Sequence, residues 1–314
     1  MTSTENCLGP FRLGAMFVER VWGRRDLAPW YDKTFAEPTG EAWLTGEDCV
    51  VESGPHAGKT LSDLERECGE ALLGTKHAEF PLLVKMLFPQ EKLSVQVHPD
   101  DAHAAALGGD ARAKTECWYV LEASPGASIA LGLKPGTTEA MVRSVLGQEG
   151  FEALLQPLPV TAGDMVYAEA GTVHAIGAGL VLLEVQQSSD TTYRLYDYGR
   201  PRELHLETGM KVMKIETASG RVLPRVVAGG TRLIGVRHFV VDRFDVAQGG
   251  SIAVQGMRAP ECLIGLQGTG VVIGAGGDVE LRAGQAVVVP ACCENYRVEG
   301  ECSFVRCSVP GSES

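Results

Sequence analysis

Polar and apolar residues alternate through Ser94-Val95-Gln96-Val97-His98-Pro99-Asp100, and a period of two predicts a strand with Gln96 and His98 on one face and Val95 and Val97 on the other. The alternation recurs at Lys114-Thr115-Glu116-Cys117-Trp118-Tyr119-Val120, where Lys114 and Glu116 share a face. From Phe80 to Phe88 the chain is almost continuously apolar, with Lys85 the exception, which is the length of one strand. A longer run, Leu182 to Tyr196, predicts an extended segment whose even positions bring Glu184, Gln186, Ser188, Asp190, Thr192 and Arg194 to one face, opposite Leu183, Val185 and Leu195. Helical spacing is confined to two places. Leu61, Leu64, Cys68, Ala71 and Leu72 mark a helix that Lys59-Thr60 opens and that runs to about Leu73, and a second insertion runs from Thr138 to about Leu155, before a strand at Met165-Val166-Tyr167.

After Ile215 the texture changes to strands punctuated by glycine, such as Arg237–Val241, Glu261–Leu266, Gly270–Ile273 and Gln285–Pro290, which predicts an antiparallel barrel or sandwich without helices. An internal repeat links the halves: Gly163–Gly171 aligns with Gly284–Cys292, and the same alignment puts Asn295 where the first copy has His174. The second copy therefore lacks that imidazole.

Length and composition narrow the class. A chain of 314 residues favours two domains, divided here as 1–217 and 222–314, and 45% hydrophobic residues with 38 glycines suit many short strands and tight turns. A net charge of −12 argues against a nucleic-acid or anionic-membrane surface, while leaving room for an anionic small molecule held by local Arg and Lys side chains. Met1 to Pro10 has no leader character and no apolar stretch approaches membrane-spanning length, so a cytoplasmic protein is expected. The nine cysteines include no CxxC pair, which suggests neither a disulfide framework nor a zinc ribbon, but small buried hydrophobes.

His98, Glu116 and His174, with Gln96 beside them, make a ligand set of imidazole, carboxylate and neutral oxygen that suits a borderline divalent cation such as zinc with a position left for water or substrate. Taken singly each residue has a plainer role: a hydrogen-bonded histidine, a solvated glutamate, a snorkelling Lys85, a surface-paired Arg194. Arg20, Arg24 and Arg25 read as a solvated charged loop, and His56, His77, His103, His205 and His238 as structural or exposed.

QVHPDD at 96–101, KTECWY at 114–119, GTVHA at 171–175 and LEVQQSSDTTYRLYDY at 183–198, with RVWG at 20–23 and GEAW at 40–43, together resemble the short bacterial form of the type I phosphomannose isomerases, members of the cupin superfamily. The resemblance is close over about residues 10–215 and weaker beyond. It implies a mainly β fold of two cupin-like jelly-roll barrels with short helical insertions in the first, the second being degenerate and metal-free. It also implies one zinc ion per chain on His98, Glu116 and His174, with Gln96 a further ligand or near neighbour. Arg194 matches the family's active-site arginine, and Lys85 and Lys114 match lysines lining its pocket. The implied reaction is aldose–ketose isomerisation of mannose 6-phosphate through a cis-enediol. Lys114, Glu184 and Lys85, in that order, are the candidates to move the proton, and Asp190 is a further group in the pocket. A monomer or homodimer acting on a sugar phosphate is expected. Other expectations left open are an isomerase of another hexose or hexose phosphate, and a non-catalytic sugar-binding cupin. A metal dioxygenase fits less well, since such sites rely on more histidines.

Overall fold

Successive residues of a strand point to opposite faces, and the strand Leu82–Leu87 uses both. Val84 and Met86 enter one apolar cluster, while Leu87 enters another and Lys85 shares its side. The neighbouring strands repeat the division: Cys117, Tyr119, Leu183 and Val185 face the first cluster, and Trp118, Val120 and Leu182 the second. A sheet covered on both sides explains why its strands read as nearly continuous apolar runs.

The computed structural model describes residues 8–311, which form three antiparallel sheets, none closed into a barrel. The seven-stranded sheet runs, in spatial order, Gly220–Val222, Met165–Ala168, Glu116–Ala123, Leu180–Gln187, Leu82–Leu87, Thr34–Trp43 and Met16–Asp26. Facing it is a five-stranded sheet, Tyr193–Tyr196, Val95–Val97, His174–Ile176, Ser128–Leu133 and Leu155–Pro159. These two layers are the expected jelly roll, open at its sides. The C-terminal half is one eight-stranded sheet built on the long strands Val240–Val254, Glu261–Gly274 and Tyr296–Ser308. Register shifts within these ladders, between Val246 and Gly250 and between Gly265 and Gln267, mark where the ladder is interrupted. The short strand Phe11–Leu13 joins this sheet beside Ala286–Val289, ahead of the strands of the seven-stranded sheet. Cys262, Val288, Val305 and Cys307 pack in the same cluster as Val84 and Leu183, which fastens the two halves together.

The helical insertions fall where spacing placed them, with refinements. The first is two helices, Leu61–Cys68 and Glu70–Leu73, divided at Gly69, and a capping box between Thr60 and Asp63 starts it. The second is Glu139–Val145, capped by Thr138, followed by a 3₁₀ turn at Glu149–Leu154. Two further helices, Asp101–Leu107 and Leu206–Val212, carry no strong period; Asp100 caps the first through the His103 amide. No described helix follows Val212, in keeping with the all-strand second half. No helix among the described residues is long and apolar enough to cross a membrane.

The run Leu182 to Tyr196 is not one strand. The chain leaves the seven-stranded sheet at Gln187 and rejoins the opposite sheet at Tyr193. Hydrogen bonds make the intervening turn: the Gln186 side-chain amide donates to the Ser189 carbonyl, and the Ser189 hydroxyl to the Arg112 carbonyl at 3.1 Å. The even positions therefore do not share one face. Gln186 is spent beneath the turn and Ser188 faces a different cavity, whereas Glu184, Asp190, Thr192 and Arg194 still reach a common pocket.

Candidate metal centre and active-site pocket

Three buried side chains converge where the two N-terminal sheets meet. His98 follows the Val95–Val97 strand, His174 opens His174–Ile176, and Glu116 opens Glu116–Ala123. Pairing sets their positions: His174 lies directly opposite Gln96 in its sheet, and Glu116 opposite Gln186 and Ala168 in the other. Glu116 Oε1 is 3.2 Å from His98 Nε2 and 3.1 Å from His174 Nε2, and the Gln96 amide lies 3.2 Å from the same His174 nitrogen. The Nδ1–H of each ring donates backward to a backbone carbonyl, His98 to Thr191 at 2.7 Å and His174 to Thr172 at 2.9 Å, which leaves both Nε2 lone pairs aimed inward. Burial, reinforced by the Lys114 charge, depresses the His98 pKa to about 4, so its ring is neutral at physiological pH.

This donor set fits a divalent cation. His98 Nε2 and Glu116 Oε1 are buried without a hydrogen-bond partner, a cost that a metal would remove. Among the described residues this is the one group of three or more His, Cys, Asp or Glu side chains close enough to hold an ion.

Beside it opens a polar cavity of about 410 Å³, within the range of small-molecule sites. A lateral row across four strands passes along it, with Lys85 and Glu184 in its lining: Trp43 stands opposite Lys85, Lys85 opposite Glu184, and Glu184 opposite Trp118. Lys85, read singly as a snorkelling residue, is only 2% exposed. Its Nζ lies 2.8 Å from Asp190 Oδ1, 3.9 Å from both Glu41 and Glu184, and 4.4 Å above the Trp43 ring. Glu184 accepts the Trp118 indole N–H at 2.8 Å, and the Trp118 ring lies 5.3 Å from that of His174. Burial raises the Glu184 carboxyl to about 7; Lys114 and Lys85 pull it down and Glu116 adds to the rise. Lys114 Nζ is 3.0 Å from Glu116 Oε2. Burial opposes the Lys114 charge, yet Glu116, Glu184 and Asp190 outweigh it and raise its pKa. For Glu116 and Asp190 the balance also favours the charge: burial works against each carboxylate, but Lys114 on the first and Lys85 on the second hold them below their ordinary range.

His98, Glu116 and His174 thus form the candidate metal group, and Gln96, Lys85, Lys114, Glu184, Asp190 and Arg194 line the cavity, whereas Gln186 and Ser188 do not. Other residues belong there too. Arg20 is not in a loop but on the strand Met16–Asp26, where its guanidinium forks onto Glu41 at 2.8 and 3.1 Å and lines the cavity. Glu41 also accepts from Trp43 at 2.6 Å. His205 is neither remote nor idle: it lines the cavity, and its Nδ1 accepts the Arg194 amide N–H at 3.2 Å. Arg202 reaches the cavity rim from a fork onto the buried Asp197, both contacts at 2.7 Å. RVWG and GEAW were the sequence signals for Arg20 and Glu41.

A jelly roll with a buried His–Glu–His group beside a polar pocket defines a cupin-type protein with a candidate metal centre. The sequence model described as phosphomannose isomerase type I, catalytic domain, matches residues 11–132. The mannose-6-phosphate isomerase of Streptococcus mutans is 34% identical over 94% of this chain and 97% of its own. The crystal structure of the mannose 6-phosphate isomerase from Bacillus subtilis superposes with a TM-score of 0.86 at 28% identity, covering 96% of this chain and 100% of that one. A zinc-bound mannose 6-phosphate isomerase shares the fold at 17% identity, with a TM-score of 0.79 and coverage of 96% and 100%. The chain belongs to the type I phosphomannose isomerases.

Proposed function

We propose that residues 1–217 interconvert mannose 6-phosphate and fructose 6-phosphate, with one zinc ion held by His98, Glu116 and His174 and by Gln96 once its amide oxygen turns inward. The observation that carries this reading is the adjacency of the buried His–Glu–His group, through Lys114 at 3.0 Å from Glu116, to the cavity that Lys85 and Glu184 line. Bound there, the ion would act as a Lewis acid on the open-chain carbonyl and its neighbouring hydroxyl.

The chain's own groups divide the remaining work. Aldose and ketose differ by a proton moved between C2 and C1, so one group must take and return it. Glu184 is best suited, because a carboxyl near neutrality exchanges protons in both directions at physiological pH. Lys114, first in order from sequence alone, is held protonated by its acidic neighbours and acts better as a fixed positive charge or proton donor. Lys85 is locked among Asp190, Glu41 and Glu184 and orients them. Asp190 would accept a sugar hydroxyl at the mouth, and Arg194 offers a planar cation for the enediolate or the phosphate.

The test is a coupled isomerase assay on mannose 6-phosphate. Activity is expected to disappear on chelation and return with zinc; turnover that survives complete metal removal would discard the metal-assisted reading. Arg194→Lys is expected to fold, keep its metal and lose most turnover, since an ammonium cannot reproduce a two-pronged contact. Steady-state kinetics on the metal-loaded variant checks this, and near-normal kcat and KM would return Arg194 to a surface role.

A further inference from the structure

Tyr193–Tyr196 is the outermost strand of its sheet, so one side of its backbone has no strand to pair with. At Arg194 a single residue takes both polar backbone groups. The His205 backbone N–H donates to the Arg194 carbonyl at 2.8 Å, and the His205 ring accepts the Arg194 N–H on Nδ1 at 3.2 Å. A backbone amide can only donate, so Nδ1 carries the lone pair and the neutral ring keeps its proton on Nε2. Burial and then the Arg194 charge lower the ring's pKa, with Glu203 opposing, which keeps the neutral form at physiological pH. The ring stands 5.8 Å from that of Tyr193 in a T-shaped contact. His205 also opens the helix Leu206–Val212, whose Met210 and Val212 pack with Val97 and Leu195, so the imidazole is mounted on the core.

That arrangement leaves an imidazole N–H with no hydrogen-bond partner among the described residues, on a ring that lines the active-site cavity. The Glu203 carboxylate, 4.0 Å from Nε2 and 83% exposed, is out of hydrogen-bond reach. Arg194 is in the same condition. The other cations of the cavity each rest on a carboxylate: Arg20 forks onto Glu41 at 2.8 and 3.1 Å, Lys85 lies 2.8 Å from Asp190, Lys114 3.0 Å from Glu116, and Arg202 forks onto Asp197 at 2.7 Å. Among the described residues no carboxylate lies within ion-pair distance of the Arg194 guanidinium. Arg194 is thus the uncommitted cation of this cavity, and His205 sets a neutral N–H close enough to feel its charge.

Strand order places this pair of donors relative to the metal group. Arg194 stands opposite Gln96 and Gln96 opposite His174, so Arg194 is two strand spacings, ~10 Å, from His174, and His205 lies beyond it on the outer edge. A hexose 6-phosphate whose C1 and C2 lie at the metal group carries its phosphoryl oxygens at the other end of its carbon chain. We propose that His205 is a substrate-contacting residue whose Nε2–H, together with the Arg194 guanidinium, holds the phosphoryl group and so favours a phosphorylated over a free hexose. An imidazole with its tautomer fixed by a backbone amide donates there without reorganising. The phosphorylated hexose as ligand class rests on the isomerase reading; the locked N–H donor does not.

Two variants of the zinc-loaded protein separate contact from support. In His205→Asn the amide oxygen can take the Nδ1 position and accept the Arg194 N–H, but nothing replaces Nε2–H. In His205→Gln the amide nitrogen restores a donor at the Nε2 position, and the Nδ1 acceptor is lost. His205→Asn is expected to raise KM for mannose 6-phosphate and Ki for competing inorganic phosphate in parallel, by roughly 10- to 100-fold for one hydrogen bond to a charged group, with kcat nearly unchanged. His205→Gln is expected to recover most of that loss. Wild-type kinetics in His205→Asn with a defect in His205→Gln would reduce His205 to a support for the Arg194 backbone and overturn the proposal. A raised KM with unchanged Ki would put the contact on the sugar and overturn it equally. A second measurement needs neither turnover nor a folded variant: in wild-type protein labelled with nitrogen-15 histidine, the His205 ring should show a protonated Nε2 and a bare Nδ1, and its Nε2–H should shift as inorganic phosphate is added. No shift at saturating phosphate sinks the contact. That shift without any turnover of mannose 6-phosphate would sink the isomerase reading and leave the anion contact standing.

Discussion

Glu184→Gln is expected to lower kcat by roughly 10²- to 10⁴-fold, the usual contribution of a positioned proton-transfer group, with the fold and the metal retained. The amide is isosteric and can still accept the Trp118 N–H, so the row across the sheet survives while exchange of a proton does not. The wild-type rate should rise with pH as the carboxylate forms. Burial places that rise near 7 without a metal, and a bound dication would move it lower by favouring the charged form. In Glu184→Gln this acidic limb should vanish from the residual activity. A variant with kcat close to wild type, or with the limb unchanged, would move the proton-transfer role to Lys114 or Lys85.

His174→Ala and His98→Ala are each expected to reduce bound zinc from about one ion per chain to a small fraction of that, with activity lost in parallel. Each ring is held by a single carbonyl contact that fixes its tautomer, and each Nε2 faces Glu116 at little more than 3 Å. Removing either leaves too few donors to offset the desolvation of the ion. Elemental analysis of dialysed protein reads this directly. Full zinc retention in both variants would show that the metal sits elsewhere.

The His–Glu–His group was legible because strand geometry is local: a period of two puts Gln96 and His98 on one face, whatever the sheet around them does. Lys85 was visible for the same reason, as a charge in a run that otherwise reads as buried on both sides. What the pattern could not give is where a strand stops. Gln186 and Ser188 continue the alternation past the point where the chain turns, because the turn is made by side-chain hydrogen bonds from Gln186 and Ser189 rather than by glycine or proline. Arg20 was misread since its partner, Glu41, lies on the next strand and pairing across strands leaves no local spacing. His205 joins the pocket through the backbone of Arg194, a contact with no side-chain signature.

The crossing of the chain from the Glu184 strand to the Arg194 strand makes pocket width a property of the core. Lys85, Glu184 and Glu116 stand on one layer, Gln96, His174 and Arg194 on the other. Val120, Ile129, Ile176 and Leu182 fill the gap between those layers. Interiors are packed densely enough that one methylene more or less at these positions shifts the layers against each other. Repacking at these positions would therefore retune the reach between Glu184 and the His98–Glu116–His174 group without touching any of those side chains.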